Sequence, residues 1–569
     1  MLALTLIATF MTAPQGPGPQ IIAQSPVTAA DSARIVKHVR SEQTAFESFR
    51  RMRLPIGYRS SDPCEVRVGR YCYWRGDEQD DRPPPPEDKS IIERRSALIQ
   101  MLDTASRTLR GDAWIAGQTV RYLVEVDSTD AALTAARECK ASASWCHALA
   151  GYAAHSGNRF AIADSEYSIA LAAMDSTERC TWLDVGDLLT DEISERFEKA
   201  DCAGREAIAR RALHIGAPLY SVSTTDLFTE HLSRVTRARI AERSAAADGE
   251  AWADDIRELM VRYGWPQWYS RTQVDFGSQR PPSIIGHDTG MPYNFIPALS
   301  TLEHAGQTTQ DSWHLDDPRA ATGYSPSYMR TIHDVPNQVA RFRRGDSTLI
   351  LAAWDARNDT TLIGRPLDAA LVVWSNDSVM ASTRQSKVRT TGTLVTTTLI
   401  DSGLVSLELL APAEKRAARV RIGIGARDSS ALAVSDLLLY TPTSRPVSTL
   451  TAVQDDAFTS NIVPPSRDLG VFWETYGAMG LTEPAHFTLT IEPIDIGWFR
   501  RVAESLRFAD PTRALRIQWQ EVPQTVNGIA GRGVRVDVSQ LRSGKYRLQL
   551  AIDATGGKTS STTRDIEIH

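Results

Sequence analysis

The sequence predicts a multidomain α+β protein, in which an N-terminal, all-α array of helical repeats precedes two β-sandwich domains. Helical periodicity dominates residues 90–264, whereas short strand-like runs separated by turns dominate residues 336–569. All six cysteines lie in the N-terminal part, between Cys64 and Cys202. With 569 residues the chain is long enough for several domains, each with its own core.

An apolar stretch at residues 2–11 predicts a signal peptide or apolar leader over residues 1–24. A secretory signal also needs a basic start and a small-residue cleavage site. No Lys or Arg precedes Arg34, and Ala13 is followed by Pro14, so a frayed apolar terminus is the alternative. No other window is apolar over the roughly 18 residues that a membrane span needs. We therefore expect an exported protein without a membrane span.

The cysteines agree with export, because thiols that lie close together oxidise to disulfides outside the cytoplasm. Along the chain they form the local pairs Cys64/Cys72, Cys139/Cys146 and Cys180/Cys202. Sequence alone cannot choose among the possible pairings, and we favour the local one because two of its loops are short. A structural zinc site is disfavoured, since no two cysteines have the close spacing of zinc ligands. We expect no metal and no cofactor.

The charge of the chain argues against a nucleic-acid partner. The formal net charge is −6, and the basic residues are dispersed rather than collected in a patch. The excess of arginine over lysine could indicate phosphate or carboxylate binding. A GC-rich genome gives the same excess, and we favour that explanation.

Residues 25–89 form an irregular N-terminal segment with a helix near residues 31–51. The Cys64–Cys72 loop, CEVRVGRYC, alternates apolar and polar residues and predicts a small disulfide-closed hairpin. The run DEQDDRPPPPED follows, and its consecutive prolines favour an extended linker because they fix φ and lack amide donors. A proline-rich ligand for another protein is the alternative.

The helical domain, residues 90–265, contains a pattern that recurs after 34 residues. This spacing separates Gly117 from Gly151, Leu133 from Tyr167, and Ala136 from Ala170. In each copy the glycine would let a second helix approach, and the other two residues share one face of that helix. The pattern resembles the tetratricopeptide repeat (TPR) over about residues 112–175, which implies stacked antiparallel helices. An array of helical hairpins without repeat ancestry is the alternative and predicts the same packing.

The last predicted helix places Trp252, Ile256, Met260 and Tyr263 on one apolar stripe and ends at Gly264. Its end, ELMVRYGWP, resembles a segment of GWxTD-domain proteins, a group of secreted bacterial proteins with β-rich C-terminal regions. The chain keeps Tyr263-Gly264 and Pro266 but lacks the Thr-Asp of the naming motif. The resemblance implies bacterial export and carries no catalytic residues.

Residues 266–335 lack sustained periodicity and are rich in aromatic residues, proline and glycine, so we predict that they form a connector. Its aromatics, together with the residue just before it, could stack on sugars or anchor a partner protein. We name as binding candidates Trp265, Trp268, Tyr269 and Phe276. The alternative, which we favour, is that these residues and the nearby Tyr293 and Phe295 join the helical array to the first sandwich.

The same connector contains histidines next to acidic residues. The catalytic candidates are His287, Asp288, His314 and His333, which could form an acid–base pair or bind a metal. They lie in separate loops, however, and nothing in their spacing brings them together. No GxSxG, HExxH or Walker motif occurs in the sequence.

Two β-sandwiches are predicted at residues 336–445 and 446–569, because short strands separated by turns follow one another, and a short helix near residues 496–508 interrupts the second set. Asn376-Asp377 is among the turns that separate the strands. The C-terminal end resembles the last hairpin of an immunoglobulin-like or fibronectin-like domain. There Leu541, Gly544 and Tyr546 resemble a tyrosine corner, in which a Tyr hydroxyl bonds back to the loop before its strand.

These observations predict an exported, non-enzymatic interaction or scaffold protein of the bacterial envelope or exterior. We expect its helical array to bind a protein or peptide partner, because helical repeats present long surfaces suited to peptides. The alternative is a secreted hydrolase or carbohydrate-active enzyme with a site in residues 265–335. Convergence of the four catalytic candidates on one cleft would favour the enzyme.

Overall fold

A computed structural model describes residues 28–57, 64–75, 84–273, 282–288, 290–400, 402–426, 430, 432–463, 468–478, 483–494 and 514–569. Helices occupy the N-terminal half of this part of the chain and strands occupy the C-terminal half, which confirms the α+β class. The leader predicted at residues 1–24, the binding candidate Phe276 and the short helix predicted near residues 496–508 lie outside the described residues.

The N-terminal half consists of helices that begin at capping side chains. The side chains of Asp112, Ser142, Asp175 and Asp201 each accept a hydrogen bond from an amide in the first turn of the following helix. These bonds satisfy donors that a helix start leaves open. The helices are α1 (Ala29–Met52), α2 (Lys89–Thr108), α3 (Ala113–Val124), α4 (Thr129–Glu138), α5 (Ala143–Ser156), α6 (Phe160–Ala172), α7 (Ser176–Trp182), α8 (Asp191–Lys199), α9 (Cys202–Ile215), α10 (Asp226–Ala241) and α11 (Asp254–Tyr263).

The two glycines of the 34-residue pattern have different neighbours. A Cβ at Gly151 would lie 2.8 Å from the ring of Tyr167, so α5 and α6 approach as closely as the pattern predicts. A Cβ at Gly117 would instead lie 3.3 Å from Ile240 of α10 and from Trp145 of α5. The first glycine therefore permits packing against α10 and α5 rather than against α4.

Helix α10 lies at the centre of the helical half. Every residue of this helix is buried except Glu230 and Arg239. It contacts α3, α5, α6, α9 and α11. Because it is buried on all sides and still carries charged residues, those charges need partners inside the protein.

Three disulfides join the local cysteine pairs. Cys64–Cys72 closes the hairpin of β2 (Val66–Val68) and β3 (Tyr71–Tyr73), Cys139–Cys146 joins the end of α4 to α5, and Cys180–Cys202 joins α7 to α9. Such bridges persist in oxidising compartments, which indicates export. Among the helices of the described residues, none combines the length and the apolar composition that a membrane crossing requires.

The connector contains short elements that the sequence did not reveal. Strand β4 (Trp268–Thr272) pairs with β1 (Ile56–Gly57) on one side and with β5 (Ile284–His287) on the other, and α12 (Leu299–Glu303) follows. The small sheet fixes the connector against the segment after α1. The apolar stripe of α11 also differs from prediction, because the helix begins at Asp254 and Trp252 precedes it.

The first β unit has two sheets around one core. Its strands are β6 (Thr331–His333), β7 (Asn337–Arg344), β8 (Ser347–Asp355), β9 (Leu367–Ser375), β10 (Ser378–Val388), β11 (Thr391–Thr398), β12 (Gly403–Ala411) and β13 (Arg416–Ile424). One sheet has the order β10-β9-β12-β13-β6 and the other the order β11-β8-β7. Trp354, Leu371 and Leu407 belong to the core that they share. Asn376 and Asp377 both have positive φ, as a tight hairpin turn requires.

The second β unit begins earlier than predicted. Its strands are β14 (Ala433–Val434), β15 (Leu438–Tyr440), β16 (Ile462–Val463), β17 (Asp468–Tyr476), β18 (Ala485–Pro493), β19 (Leu515–Glu521), β20 (Ile529–Asp537), β21 (Gly544–Ala554) and β22 (Lys558–Ile568). Strand β17 pairs with β14, β15 and β20, and the second sheet has the order β16-β22-β21-β18-β19. Because β14 and β15 pair with β17, the second unit starts before residue 446. The Tyr546 hydroxyl donates to the carbonyl of Arg542 over 2.9 Å.

The helical half and the first β unit share one hydrophobic core. Leu213 of α9, Trp374 of β9 and the connector residues Tyr293 and Phe295 are all members of it. Two of the aromatics near the connector's middle therefore join the helical array to the first β unit, as the favoured alternative expects for this region.

Buried charged groups reinforce the same joint. Glu408 of β12 accepts hydrogen bonds from the backbone amides of Tyr220 and Ser221, over 2.9 and 2.8 Å. Arg421 of β13 donates to the carbonyls of Ile215 and Pro218. Charge-assisted bonds of this kind are stronger than neutral ones, so the β unit holds the loop after α9 firmly.

Candidate ligand-binding cleft

A cleft of about 580 Å³ opens between the helical half and the connector. Its volume lies within the range of pockets that bind small ligands or short segments. The helical walls come from α1, α2, α3, α5 and α10, and the opposite wall is the segment from Tyr263 to Tyr269 together with Asp288 and residues 324–327. We call it the central cleft.

Helical periodicity aims one stripe of each inner helix at the central cleft. On α10 the lining residues are Glu230, Ser233, Arg234 and Arg237, at positions i, i+3, i+4 and i+7 of one helix face. Arg121, Val124 and Glu125 line it from α3 and its end, and Tyr152, His155 and Ser156 line it from α5. The cleft therefore lies on the inner face of the helical array.

Three arginines surround the carboxylate of Glu125. Its Oε1 accepts from Arg121 Nε at 3.0 Å and from Arg237 Nη2 at 3.1 Å, and its Oε2 accepts from Arg50 Nη1 at 3.3 Å. Burial alone would raise the pKa of Glu125, but these guanidinium groups outweigh it and lower that pKa to about 2. Glu125 is therefore ionised at any physiological pH and holds α1, α3 and α10 together at the base of the cleft.

A second group of paired charges lies nearer the N-terminal end of α10. Glu230 Oε1 accepts from Arg234 Nε at 2.5 Å, and Glu230 Oε2 lies 2.7 Å from His155 Nε2. Burial would raise the pKa of Glu230, but Arg234 and His155 outweigh it and lower the pKa to about 2. Arg234 also donates to the carbonyls of Arg262 and Gly323, which links α10 to the connector. The carboxylate of Glu230 is thus a fixed negative charge on the cleft wall.

Asp288 is the one catalytic candidate that lines the central cleft. The surrounding protein raises the pKa of its carboxyl to about 7, although Arg234 and the nearby Tyr73 hydroxyl oppose the rise. The residue stays exposed to the open space of the cleft, and that exposure limits the effect of desolvation. The raised pKa of Asp288 distinguishes it from Glu230, whose pKa is lowered.

Three of the four aromatic binding candidates line the cleft. The Trp265 ring stacks on Trp252 with centroids 6.1 Å apart, and the Arg237 guanidinium lies 4.8 Å above it. Trp268 stacks on His287 at 3.8 Å. Tyr269 carries the Arg50 guanidinium 5.8 Å from its ring centre. The connector aromatics are therefore divided, since these three line the cleft while Tyr293 and Phe295 lie in the joint.

The remaining catalytic candidates do not meet in the cleft. His287 bonds to Ser270 within the small sheet, at 2.8 Å, and stacks on Trp268. His333 lies on β6 opposite Ala418 of β13, and His314 is an exposed residue that follows a short 3-10 helix. Within the described residues, no group of three or more His, Cys, Asp or Glu side chains is placed to hold a metal ion.

Sequence reasoning missed the arginines and glutamates of the helical wall. These residues come from three helices that are distant in sequence: Arg50 from α1, Arg121 and Glu125 from α3 and its end, and Glu230 and Arg237 from α10. Salt bridges join Glu125 to the three arginines only after folding, and Glu230 pairs with Arg234. One signal was present within a single helix. Charged residues recur along α10 at helical spacing, although nearly the whole helix is buried. Such a charged stripe on a buried helix indicates an internal polar surface.

Comparison with protein-family models finds no match, and comparison with curated proteins finds none either. Among solved structures, the chain is similar over 42% of its length to red sea bream transglutaminase, with 13% identity and a TM-score of 0.13. It is similar over 45% of its length to E. coli alpha-2-macroglobulin, with 11% identity and a TM-score of 0.15. It is similar over 44% of its length to a glycosyl hydrolase family 2 member from Bacteroides cellulosilyticus, with 12% identity and a TM-score of 0.15. The matched regions span 32%, 17% and 32% of those chains. Likenesses this low identify neither a fold family nor a function for this chain.

Proposed function

We propose that the protein is an exported interaction protein of the bacterial envelope or exterior that holds a peptide or a protein segment in the central cleft. The observation that carries the proposal is the cleft itself, whose walls combine inner helices of the array with the aromatic connector. Its lining offers hydrogen-bond donors, hydrogen-bond acceptors and apolar surface together. A bound peptide needs all three, because its backbone is polar and its side chains are in part apolar.

The finer fold assignments belong to the same proposal. We infer a TPR-like ancestry for the helical array, supported by the close packing of Gly151 on Tyr167. We infer immunoglobulin-like or fibronectin-like sandwiches for the β units, supported by the bond from the Tyr546 hydroxyl to the Arg542 carbonyl. The resemblance to GWxTD-domain proteins involves Tyr263, Gly264 and Pro266, which line the central cleft.

Peptide retention by the full-length protein tests the proposal. The immobilised protein is exposed to a random hexapeptide pool, and the retained peptides are quantified by mass spectrometry. Gln267→Trp places a large ring at an exposed position on the cleft wall and should lower retention at least about tenfold, equivalent to about 1.4 kcal/mol. Gln307→Trp, at an exposed position that does not line the cleft, is the matched control and should leave retention unchanged. Equal retention by all three proteins, or none by the wild type, would contradict the proposal.

Hydrolysis is the second candidate function, because two carboxyls with opposite pKa shifts line the same cleft. Asp288 could donate a proton while Glu230 stays ionised, which is the division that acid–base catalysis uses. We place it second because His287, His314 and His333 do not line the cleft. Fluorogenic peptide pools and chromogenic glycosides test it: a hydrolase would turn over one of them and lose that turnover in Asp288→Asn, whereas an interaction protein turns over neither.

A further inference from the structure

The base of the central cleft contains guanidinium N–H groups that have no acceptor in the part of the chain that the structure describes. Arg237 Nη1, Arg95 Nε and Arg50 Nε are buried and make no hydrogen bond to any described residue. Arg95 and Arg237 are each only 6% exposed. A buried donor without an acceptor is unfavourable, and a ligand that supplies the acceptor removes that penalty.

The charges around these donors are balanced, but their hydrogen bonds are not. Arg50, Arg95, Arg121 and Arg237 form salt bridges with the three carboxylates of Glu47, Glu87 and Glu125, and Asp248 is a fourth carboxylate near Arg121. The cluster therefore leaves N–H donors for a ligand acceptor, while its carboxylates oppose a highly charged anion.

A carboxylate fits this site better than a phosphate. Arginine presents a planar fork that pairs with the two oxygens of a carboxylate. A phosphate group carries nearly two negative charges at neutral pH, so the carboxylate of Glu125 beside the arginines would repel it more than it would repel a singly charged group. The planar donors and the neighbouring carboxylates together favour a monoanion.

A peptide fits the rest of the cleft better than a sugar acid. Sugar rings need open aromatic faces, but Trp265 is stacked against Trp252 and also lies under the Arg237 guanidinium. His287 covers one face of Trp268 and Tyr73 covers one face of Tyr263, which leaves a single face of each ring for stacking. The lining also includes aliphatic residues that suit the side chains of a peptide, namely Leu54, Pro55, Ile91, Val124 and Pro266.

We propose that the arginine cluster of Arg50, Arg95 and Arg237 is an anchor site for a carboxylate of the bound peptide. This inference rests on the proposed function, since it assigns the chemistry by which the central cleft recognises its partner. The carboxylate would accept hydrogen bonds from the guanidinium donors that lack an acceptor among the described residues. The rest of the peptide would then lie along the wall formed by α5, α10 and the connector.

Defined hexapeptide pools test the anchor site on the full-length protein. One pool lacks Asp and Glu and has free C termini, the second is the same pool with amidated C termini, and the third is amidated and contains Glu. Trigalacturonic acid serves as the sugar-acid probe. Loss of a charged hydrogen-bond partner lowers affinity by roughly 10- to 100-fold, so we expect the free-acid or the Glu-containing pool to bind that much more tightly than the pool without a carboxylate.

Variants connect the preference to the cluster. Arg237→Gln should remove the carboxylate preference, and Arg237→Lys should retain part of it because it keeps the charge and loses the fork. Arg239→Gln is the matched control, since Arg239 lies on the same helix in an exposed ion pair with Glu178. Thermal unfolding of each variant establishes that it is folded, and the comparison of pools on the wild type requires no variant.

Each outcome separates the two proposals. Preference for the free-acid pool assigns the anchor to a C-terminal carboxylate, and preference for the Glu-containing pool assigns it to a side chain. Equal binding of all three pools would overturn the anchor and leave the proposed function standing. Binding of trigalacturonic acid without any peptide, or of no probe at all, would overturn both.

Discussion

Replacing Glu125 by Gln should destabilise the helical half, because it removes the charge that three buried arginines share. Glu125 accepts from Arg121, Arg237 and Arg50 within 3.0 to 3.3 Å, and its side chain is only 18% exposed. Breaking a buried ion pair by removing one partner costs about 3 to 5 kcal/mol. The pKa of Glu125 gives a stabilisation of the same magnitude, since its fall from 4.5 to about 2 corresponds to about 3 kcal/mol of unfolding free energy.

The contribution of Glu125 to stability should decrease at low pH. The folded-state pKa of Glu125 is depressed, so its contribution to stability is complete above the unfolded-state pKa of about 4.5 and is lost as the pH falls towards 2. The difference in unfolding free energy between wild type and Glu125→Gln should therefore be about 3 kcal/mol at pH 7. It should shrink to about 1 kcal/mol at pH 3.

Urea unfolding followed by circular dichroism at 222 nm measures this difference, because that signal reports on helices. Glu206→Gln is the matched control, since Glu206 also pairs with two arginines, Arg179 and Arg210, but is more exposed at 25%. Its loss should cost less than about 1 kcal/mol. If Glu125→Gln costs no more than the control, or costs the same at pH 3 as at pH 7, the argument from buried charge is refuted.

Three further predictions concern packing and the joint. Glu408→Gln should weaken the bonds from the Tyr220 amide and its neighbour by about 2 to 4 kcal/mol, and calorimetry should then resolve separate helical and β transitions. Gly151→Ala should cost about 1 to 3 kcal/mol in urea unfolding, since the new methyl group would lie 2.8 Å from the Tyr167 ring. Tyr546→Phe should cost about 1 kcal/mol by losing the hydroxyl bond to the preceding loop, measured from urea unfolding followed by near-ultraviolet circular dichroism.

Local patterns predicted local structure well. Helical periodicity and the Asn376-Asp377 turn act within a few residues, and the helices and the hairpin turn lie where these signals indicate. Strand β10 was not predicted because it is largely exposed and its sequence, SVMASTRQSKV, has little apolar alternation. Strands β1 and β4 were not predicted because two and five residues are too few to show a period.

The site was accessible to sequence only in part. Trp265, Trp268 and Tyr269 were candidates because aromatic residues can stack on sugars or anchor a partner, and they line the cleft wall. The partners of Glu125 were not recognisable, since Arg50 and Arg237 lie 75 and 112 residues away from it in sequence. Pairing over such separations depends on the tertiary fold, which a single sequence does not display.

The shared core between α9 and β9 has a consequence for how this protein can be divided. Cutting the chain after the last helix of the array would expose Leu213 and Ile215 to water and would also remove the connector wall of the central cleft. A cut after β13 would likewise expose Phe342 and Leu351, which share a buried cluster with Phe472 of β17, so the smallest unit that keeps its buried surfaces also includes the second β unit. The helical array is not a transferable cassette, although its secondary structure makes it resemble one.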